Sequence, residues 1–405
     1  MFLYDVVKVI YSPVKAFREI LANPKYLGPI IIIIISLFLT MGTQYVSSSK
    51  YYIETITPSN RVAWTNMTDP SSMWTSNGTV NKISQNSSIL VGNYSVIASI
   101  PNSRGISLKT KTDSIGTINC SEESGFRTFY YKLWYNSTLA QKVSNAILRF
   151  VSFNNESNYF QFDLLSNAGY LNNSGTWINA NVTLPHAPVT SVSGWTIGGS
   201  PDWSNITGIE FRLGFPQNGN LSIQLNDLNF GGKYQPLIDV EGFANWLSSN
   251  LVISVLNILV RWLIFAALLW LTIKVFHAEG SAFRTLMIIV GYTFAITFVY
   301  LPIEMLSVSQ LRVLYFPYRV WFPTSTREIG LANTAISNIF ATNWTSTAPY
   351  IASIAVAPIS YAWTIGLFTI ALKTLHSSSW KRAFIISLVA YVMALVLSGI
   401  VLSVF

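Results

Sequence analysis

The sequence predicts a membrane α-helical bundle of five transmembrane helices, with an extracytoplasmic all-β sandwich inserted after the first helix. Three observations predict it. Charged residues make up 10% of the 405 and hydrophobic residues 51%, whereas soluble domains are about a quarter charged. Five apolar stretches are long enough to cross a bilayer. Between the first and second of them, the chain changes to period-two alternation broken by turn residues.

Charge placement agrees with that division. Residues 51–245 hold 11 Lys/Arg against 12 Asp/Glu, residues 1–50 hold 5 against 2, and residues 246–405 hold 9 against 3. The net charge of +8 therefore sits with the apolar stretches, as membrane topology demands, and points away from a nucleic-acid surface. Cys120 is the sole cysteine, which excludes an internal disulfide, a thiolate metal site and a CxxC redox motif.

Residues 1–26 are predicted to be a cytoplasmic amphipathic lead-in. Ser12-Pro13 places an N-cap residue before proline at the first helical position. Ile10, Val14, Phe17 and Leu21 share one helical face, with Lys8, Lys15 and Arg18 to its side. Such a helix lies on an anionic leaflet or packs under the bundle. The first transmembrane helix, residues 27–45, carries six consecutive isoleucines, Ile30 to Ile35, and no charge. Roughly 19 residues reach about 28 Å, the thickness of a hydrocarbon core. Lipid imposes helix even on a β-branched run, because the backbone must satisfy itself. The stretch is too long and too far from the N-terminus for a cleaved signal, and is read as retained.

Residues 51–235 are predicted to form the sandwich. Phe129, Tyr131, Leu133 and Tyr135 alternate, as do Phe160, Phe162 and Leu164, then Ile209, Phe211, Leu213 and Phe215. Leu221, Ile223 and Leu225 continue the pattern; Leu228 and Phe230 resume it one residue out of phase, as across a bulge. Asn-x-Ser/Thr acceptors are dense here: Asn66, Asn77, Asn86, Asn93, Asn119, Asn136, Asn155, Asn172, Asn181, Asn205 and Asn220, with Asn343 further on. Their number predicts an exposed, N-glycosylated ectodomain.

Residues 246–405 return to lipid, with helices over 251–273, 286–303, 348–372 and 383–405. The connections 274–284 (Lys274, His277, Arg284) and 373–382 (Lys373, His376, Lys381, Arg382) are basic. A cytoplasmic N-terminus puts both inside, so residues 51–245 and the C-terminus are predicted to be extracytoplasmic. Arg312, Arg319 and Arg327 in the outer loop run against the rule, partly offset by Glu304 and Glu328.

Trp177, Trp195 and Trp203 are candidates for a sugar-stacking platform, with packing in the sandwich as the alternative use. Asp202 and Asp227 are candidate oxygen ligands for a structural Ca²⁺, although no loop of fixed Asp spacing accompanies them. Arg261 lies near the middle of the second span, where an ionisable side chain faces protein or water. Ser254, Asn257 and Arg261 share a face of that span, and Thr297, Tyr300 and Glu304 a face of the third. The set is either a polar pathway or interhelical hydrogen bonding. The histidines, His186, His277 and His376, lack an accompanying carboxylate cluster, and no phosphate-binding loop or placed carboxylate pair stands out. No catalytic residue and no cofactor is expected.

Two further stretches carry a resemblance. Tyr11-Ser12-Pro13-Val14-Lys15-Ala16-Phe17-Arg18-Glu19-Ile20, and Gly280-Ser281-Ala282-Phe283-Arg284 leading into Gly291-Tyr292, resemble the Yip (Ypt-interacting protein) domain family over residues 1–50 and 246–405. The resemblance implies a five-span protein of vesicle trafficking, membrane shaping and contact with Rab-type GTPases. The chain departs from it by placing the sandwich where the family has a short loop. The sandwich itself resembles carbohydrate-binding and galactose-binding-like jelly rolls through Gly194-Trp195, Pro201-Asp202-Trp203-Ser204-Asn205-Ile206-Thr207-Gly208-Ile209-Glu210-Phe211 and Leu225-Asn226-Asp227-Leu228. The expected function is a non-enzymatic, Yip-like membrane-organising or trafficking-type bundle presenting a glycan- or partner-binding ectodomain. The alternative is a transporter or channel component using the face around Arg261. Expected partners are the lipid bilayer, surface glycans and other membrane proteins, and the expected place is the plasma membrane of an archaeal cell surface.

Overall fold

The computed structural model describes residues 2–84, 90–122, 124–138, 142–185, 189, 192–276, 282–323, 326–343, 348–376 and 378–402. Asn86, His186, His277, Gly280 and Ser281 lie outside the described residues. The chain divides into a helical unit (1–52, 236–315 and 335–405) and a β unit (53–235 and 316–334).

In the helical unit, α1 (Phe2–Tyr11) and α2 (Pro13–Ala22) precede α3 (Leu27–Ser48). Pro13 takes the first helical position of α2, but the Ser12 side chain makes no capping bond. The buried face is Val6, Val9, Ala16, Phe17 and Ile20, while Val14 is exposed. The predicted stripe took Val14 and Leu21 with Phe17; in α2 the buried residues are Ala16, Phe17 and Ile20, so the inward face is turned to the Ala16–Ile20 line. This apolar face packs into the helical core, leaving Lys15 and Arg18 exposed.

The remaining helices are α4 (Leu237–Glu241), α5 (Phe243–Val275), α6 (Phe283–Thr293), α7 (Thr297–Ser309), α8 (Tyr318–Trp321), α9 (Thr326–Asn343), α10 (Ala348–His376) and α11 (Trp380–Leu402). A 3₁₀ turn, Phe294–Ile296, joins α6 to α7. Among the described residues, five stretches are long and apolar enough to cross a membrane: Leu27–Ser48, Phe243–Val275, Phe283–Ser309, Ile354–His376 and Trp380–Leu402. Several outrun the predicted bounds, because hydropathy marks only the lipid-soluble part while helical hydrogen bonding continues into polar flanks.

The span of α6 and α7 is the centre of this unit, with 61% of its apolar window buried against 11% for α3. α3 packs against α5, α6 and α7. Ile32 is fully buried while Ile34 and Phe38 are exposed, so the isoleucine run packs on one side only. Gly28 and Gly291 permit the close approach of α3 and α6: a Cβ on Gly28 would strike Tyr292, and one on Gly291 would strike Pro29.

The β unit is built on β1 (Tyr51–Thr57), β2 (Trp74–Ser76), β3 (Thr79–Ser84), β4 (Tyr94–Thr110), β5 (Thr128–Ser137), β6 (Asn145–Ser152), β7 (Asn155–Asp163), β8 (Ile178–Thr183), β9 (Trp195–Gly198), β10 (Ile206–Pro236) and β11 (Leu314–Phe316). These form one antiparallel sheet curled into a sandwich. Strands β4 and β10 run through both layers. The first part of β10 pairs with β6 and β4 (Phe211 opposite Leu148 and Leu108), and its second part with β5 and β4 (Ile223 opposite Tyr135 and Ala98). Register shifts between Gly214 and Leu221 mark the passage between layers. Phe129, Phe150 and Phe230 meet at the centre, with ring centroids 4.9–5.6 Å apart. The alternating apolar residues read from the sequence supply this core, since period two puts each set on one face.

The predicted phase slip is a bulge in β10. Pairing with β5 jumps from Asn226 opposite Lys132 to Asn229 opposite Tyr130, and Asp227 takes φ 53°, a region aspartate tolerates better than most residues.

Candidate functional site

The three tryptophans do not make a platform. Trp195 is 6% exposed, because β9 pairs it with Phe162 of β7 on the inner face. Trp203 stacks on Phe160 at 3.8 Å with planes 2° apart, and lies 5.7 Å from Trp195. Both are core packing, and Trp177 is half-buried elsewhere. Both candidate Ca²⁺ carboxylates have other partners in the structure. Asp202 caps the turn Trp203–Asn205, accepting from the Ser204 backbone N–H at 2.8 Å and its hydroxyl at 2.5 Å. Asp227 is enclosed by cations. Among the described residues no group of three or more His, Cys, Asp or Glu is placed to hold a metal.

Asp227 organises the polar interior of the β unit. The bulge turns its carboxylate inward, where it is fully buried. Arg61 donates to both oxygens, from Nε at 2.9 Å and Nη2 at 2.7 Å. Lys132 Nζ lies 3.3 Å from Oδ2, and Arg319 Nη2 donates to it at 3.1 Å. The other end of Arg61 donates to both Glu328 oxygens at 3.1 Å. Glu54 accepts from the Tyr130 hydroxyl at 2.8 Å and the Tyr318 N–H at 2.9 Å. Burial alone would raise the Asp227 pKa; the Arg61 hydrogen bonds and the charges of Arg319, Arg61 and Lys132 outweigh it and hold the carboxyl below its ordinary value. Burial, aided by Arg319 and Arg61, pulls the Lys132 ammonium down against the attraction of Asp227. Arg319, which ran against the charge rule in the sequence, and Glu328, which partly offset it, thus belong to the β unit as members of this carboxylate network.

In the helical unit, Arg261 lies near the middle of α5 and lines two cavities. The smaller, about 210 Å³, is also lined by Ser36, Thr40, Gln44, Ser254, Asn257, Thr297 and Tyr300. The larger, about 280 Å³, adds Glu304, Ser360, Tyr361, Thr364 and Tyr391 to Arg261, Thr297 and Tyr300. The structure therefore brings Arg261, Thr297 and Tyr300 together with Ser254 and Asn257 on one side and Glu304 on the other. Two interhelical bonds frame the smaller cavity: Ser36 Oγ with Thr297 Oγ1 at 2.5 Å, and Ser254 Oγ donating to Gln44 Oε1 at 3.2 Å. Sequence reading missed Ser36, Thr40 and Gln44. Their spacing of four, one helical face, was the available signal, masked by the apolar run before it.

Of the glycosylation candidates, Asn66, Asn77, Asn93, Asn119, Asn136, Asn155, Asn172, Asn181, Asn220 and Asn343 are exposed and Asn205 is half-buried.

A family model described as the Yip1 domain matches residues 187–402. No curated protein matches the chain. Among solved structures, the β unit's region is similar to the family 11 carbohydrate-binding module of the cellulosomal cellulase Lic26A-Cel5E of Clostridium thermocellum, at 10% identity over 39% of this chain and 86% of that one, TM-score 0.24. It is similar to an exo-β-agarase at 10% identity over 44% of this chain and 25% of that one, TM-score 0.27. A tailspike protein 4 domain of bacteriophage CBA120 matches at 15% identity over 40% of this chain and 19% of that one, TM-score 0.23. Scores of this size carry no argument about activity.

Proposed function

The chain belongs to the Yip1 domain family, and from that premise we propose that it is a non-enzymatic membrane-organising protein whose β unit binds a polar surface partner. The observation that carries this reading is the outer face of β4, β6, β7 and β10. Glu210 joins Arg149 at 3.4 Å and Arg212 at 2.7 Å, Arg149 donates to Gln161 at 2.9 Å, and its guanidinium lies 4.0 Å over the Tyr159 ring. Arg and Tyr side chains in this arrangement are typical of protein-recognition surfaces. Trp195 and Trp203, packed inward, are not available to stack on a glycan. The charge asymmetry supports a cytoplasmic N-terminus and an extracytoplasmic β unit.

Photo-crosslinking of the full-length protein in its native membranes, with the probe at Gln161, tests the reading. A discrete protein adduct, lost in Arg149→Ala/Arg212→Ala, is expected. A glycan-array signal that survives this double substitution, with no protein adduct, overturns it. The cavities at Arg261 favour a second reading, transport, which a liposome flux assay with Arg261→Leu decides.

A further inference from the structure

We infer that the smaller cavity is a binding site for an oxyanion, a phosphate or carboxylate group held against Arg261. Arg261 makes no hydrogen bond or ion pair among the described residues, although it lies near the middle of a 33-residue apolar helix, with its side chain exposed. A guanidinium at that depth is costly unless an anion or a water-filled cavity receives it, and it presents five donors and no acceptor. No carboxylate lines the smaller cavity. Glu304 lines only the larger one and makes no ion pair with Arg261.

The polar groups nearby are mostly spare donors. Gln44 Oε1 is taken by the Ser254 hydroxyl, which leaves the Gln44 amide N–H₂ unspent. Asn257 and Tyr300 make no hydrogen bond among the described residues. The Ser36 and Thr297 hydroxyls bond each other. One permanent cation and three spare donors therefore surround about 210 Å³, room for a small oxyanion with bidentate recognition by the guanidinium. The backbone also departs from α-helix here. Phe294, in the 3₁₀ turn, and Thr297, just after it, line both cavities, and a mid-helix 3₁₀ stretch often marks a functional position. A cation or proton path fits less well, since Arg261 stays charged and repels cations.

The inference rests on the same cavities as the transport reading but needs no flux. Its test uses the full-length protein in nanodiscs. In one arm, inorganic phosphate, acetate and chloride are titrated in phosphatidylcholine discs, and the thermal midpoint is followed. In the other, native mass spectrometry reads retention of phosphatidylglycerol against phosphatidylcholine. Saturable binding of phosphate, acetate or phosphatidylglycerol is expected, about 10-fold or more weaker in Arg261→Gln, and partly kept in Arg261→Lys. Gln44→Met, on a different helix, weakens it severalfold and stands in if Arg261→Gln does not fold. A response in the first arm identifies a solute, and in the second a lipid headgroup. Equal binding by wild type and both variants, or no oxyanion response above chloride and phosphatidylcholine, overturns the inference. Binding without flux keeps it and removes transport, whereas flux without binding does the reverse.

Discussion

Replacing Asp227 by asparagine tests the polar interior of the β unit at its strongest point. The side chain keeps its shape, but Arg61, Lys132 and Arg319 then lose the carboxylate that all three contact. Asp227 is fully buried, and Arg61 and Lys132 nearly so, so water cannot replace the lost charge. Removing one partner of a buried pair costs about 3–5 kcal/mol. Cys120 supplies the assay. It is the sole cysteine, fully buried in the β core, and burial pushes its thiol up and out of reactivity. Pulsed thiol labelling in a urea series on the full-length protein therefore reports opening of the β unit. With a urea dependence of about 1–3 kcal/mol/M, the labelling midpoint should fall by roughly 1–5 M. Arg61→Met combined with Asp227→Asn should recover part of the loss, because fewer orphan charges remain. The pH sign is fixed by the lowered carboxyl. Its contribution is complete above the unfolded value of about 3.9 and is lost as pH falls through the folded value below it, so Asp227→Asn should flatten that acid limb. A midpoint unchanged within about 0.3 M would refute the reasoning.

Two further outcomes follow from other contacts. Gly291→Ala drives a methyl into the Pro29 ring and backbone, an overpacking cost of about 1–3 kcal/mol, read as a lower thermal midpoint of the full-length protein in detergent; Gly28→Ala meets the tip of Tyr292 and should cost less. In a host that modifies Asn-x-Ser/Thr, glycopeptide mass spectrometry should find Asn93 and Asn181 occupied. Asn77 should be poorly occupied, since its amide donates to the Gly105 carbonyl at 2.9 Å, and full occupancy there would remove the link between amide engagement and modification.

The parts legible in the sequence are those where local rules decide. Lipid leaves the backbone no choice but helix, so the five apolar stretches could be read one at a time. The phase slip at Leu225 to Leu228 was legible for the same reason, since two-residue periodicity is a property of a single strand. The tryptophans were not, because whether Trp195 points inward depends on its register against Phe162, set by chain pairing that no single strand encodes. Arg319 shows the same limit more sharply. A topology rule that counts charges near helix ends read it as an exception, and only the fold shows that its partner, Asp227, lies 92 residues away in the β unit.

The opening helix combines both cases. Its isoleucine run announces a span, but the run is the less informative half. Gly28, Ile32, Ser36, Thr40 and Gln44 repeat every four residues, and this line changes from close packing to polar lining along its length. Gly28 lies against Tyr292, Ile32 is buried, Ser36 bonds Thr297, and Thr40 and Gln44 reach the cavity of Arg261. A helix that only anchored the chain would need none of the polar members, each of which is costly in lipid without a partner. Their alignment ties the first span to Arg261 on the second and Thr297 on the third, and it makes Gln44 the substitution that separates an assembled binding cavity from a mere set of helix contacts.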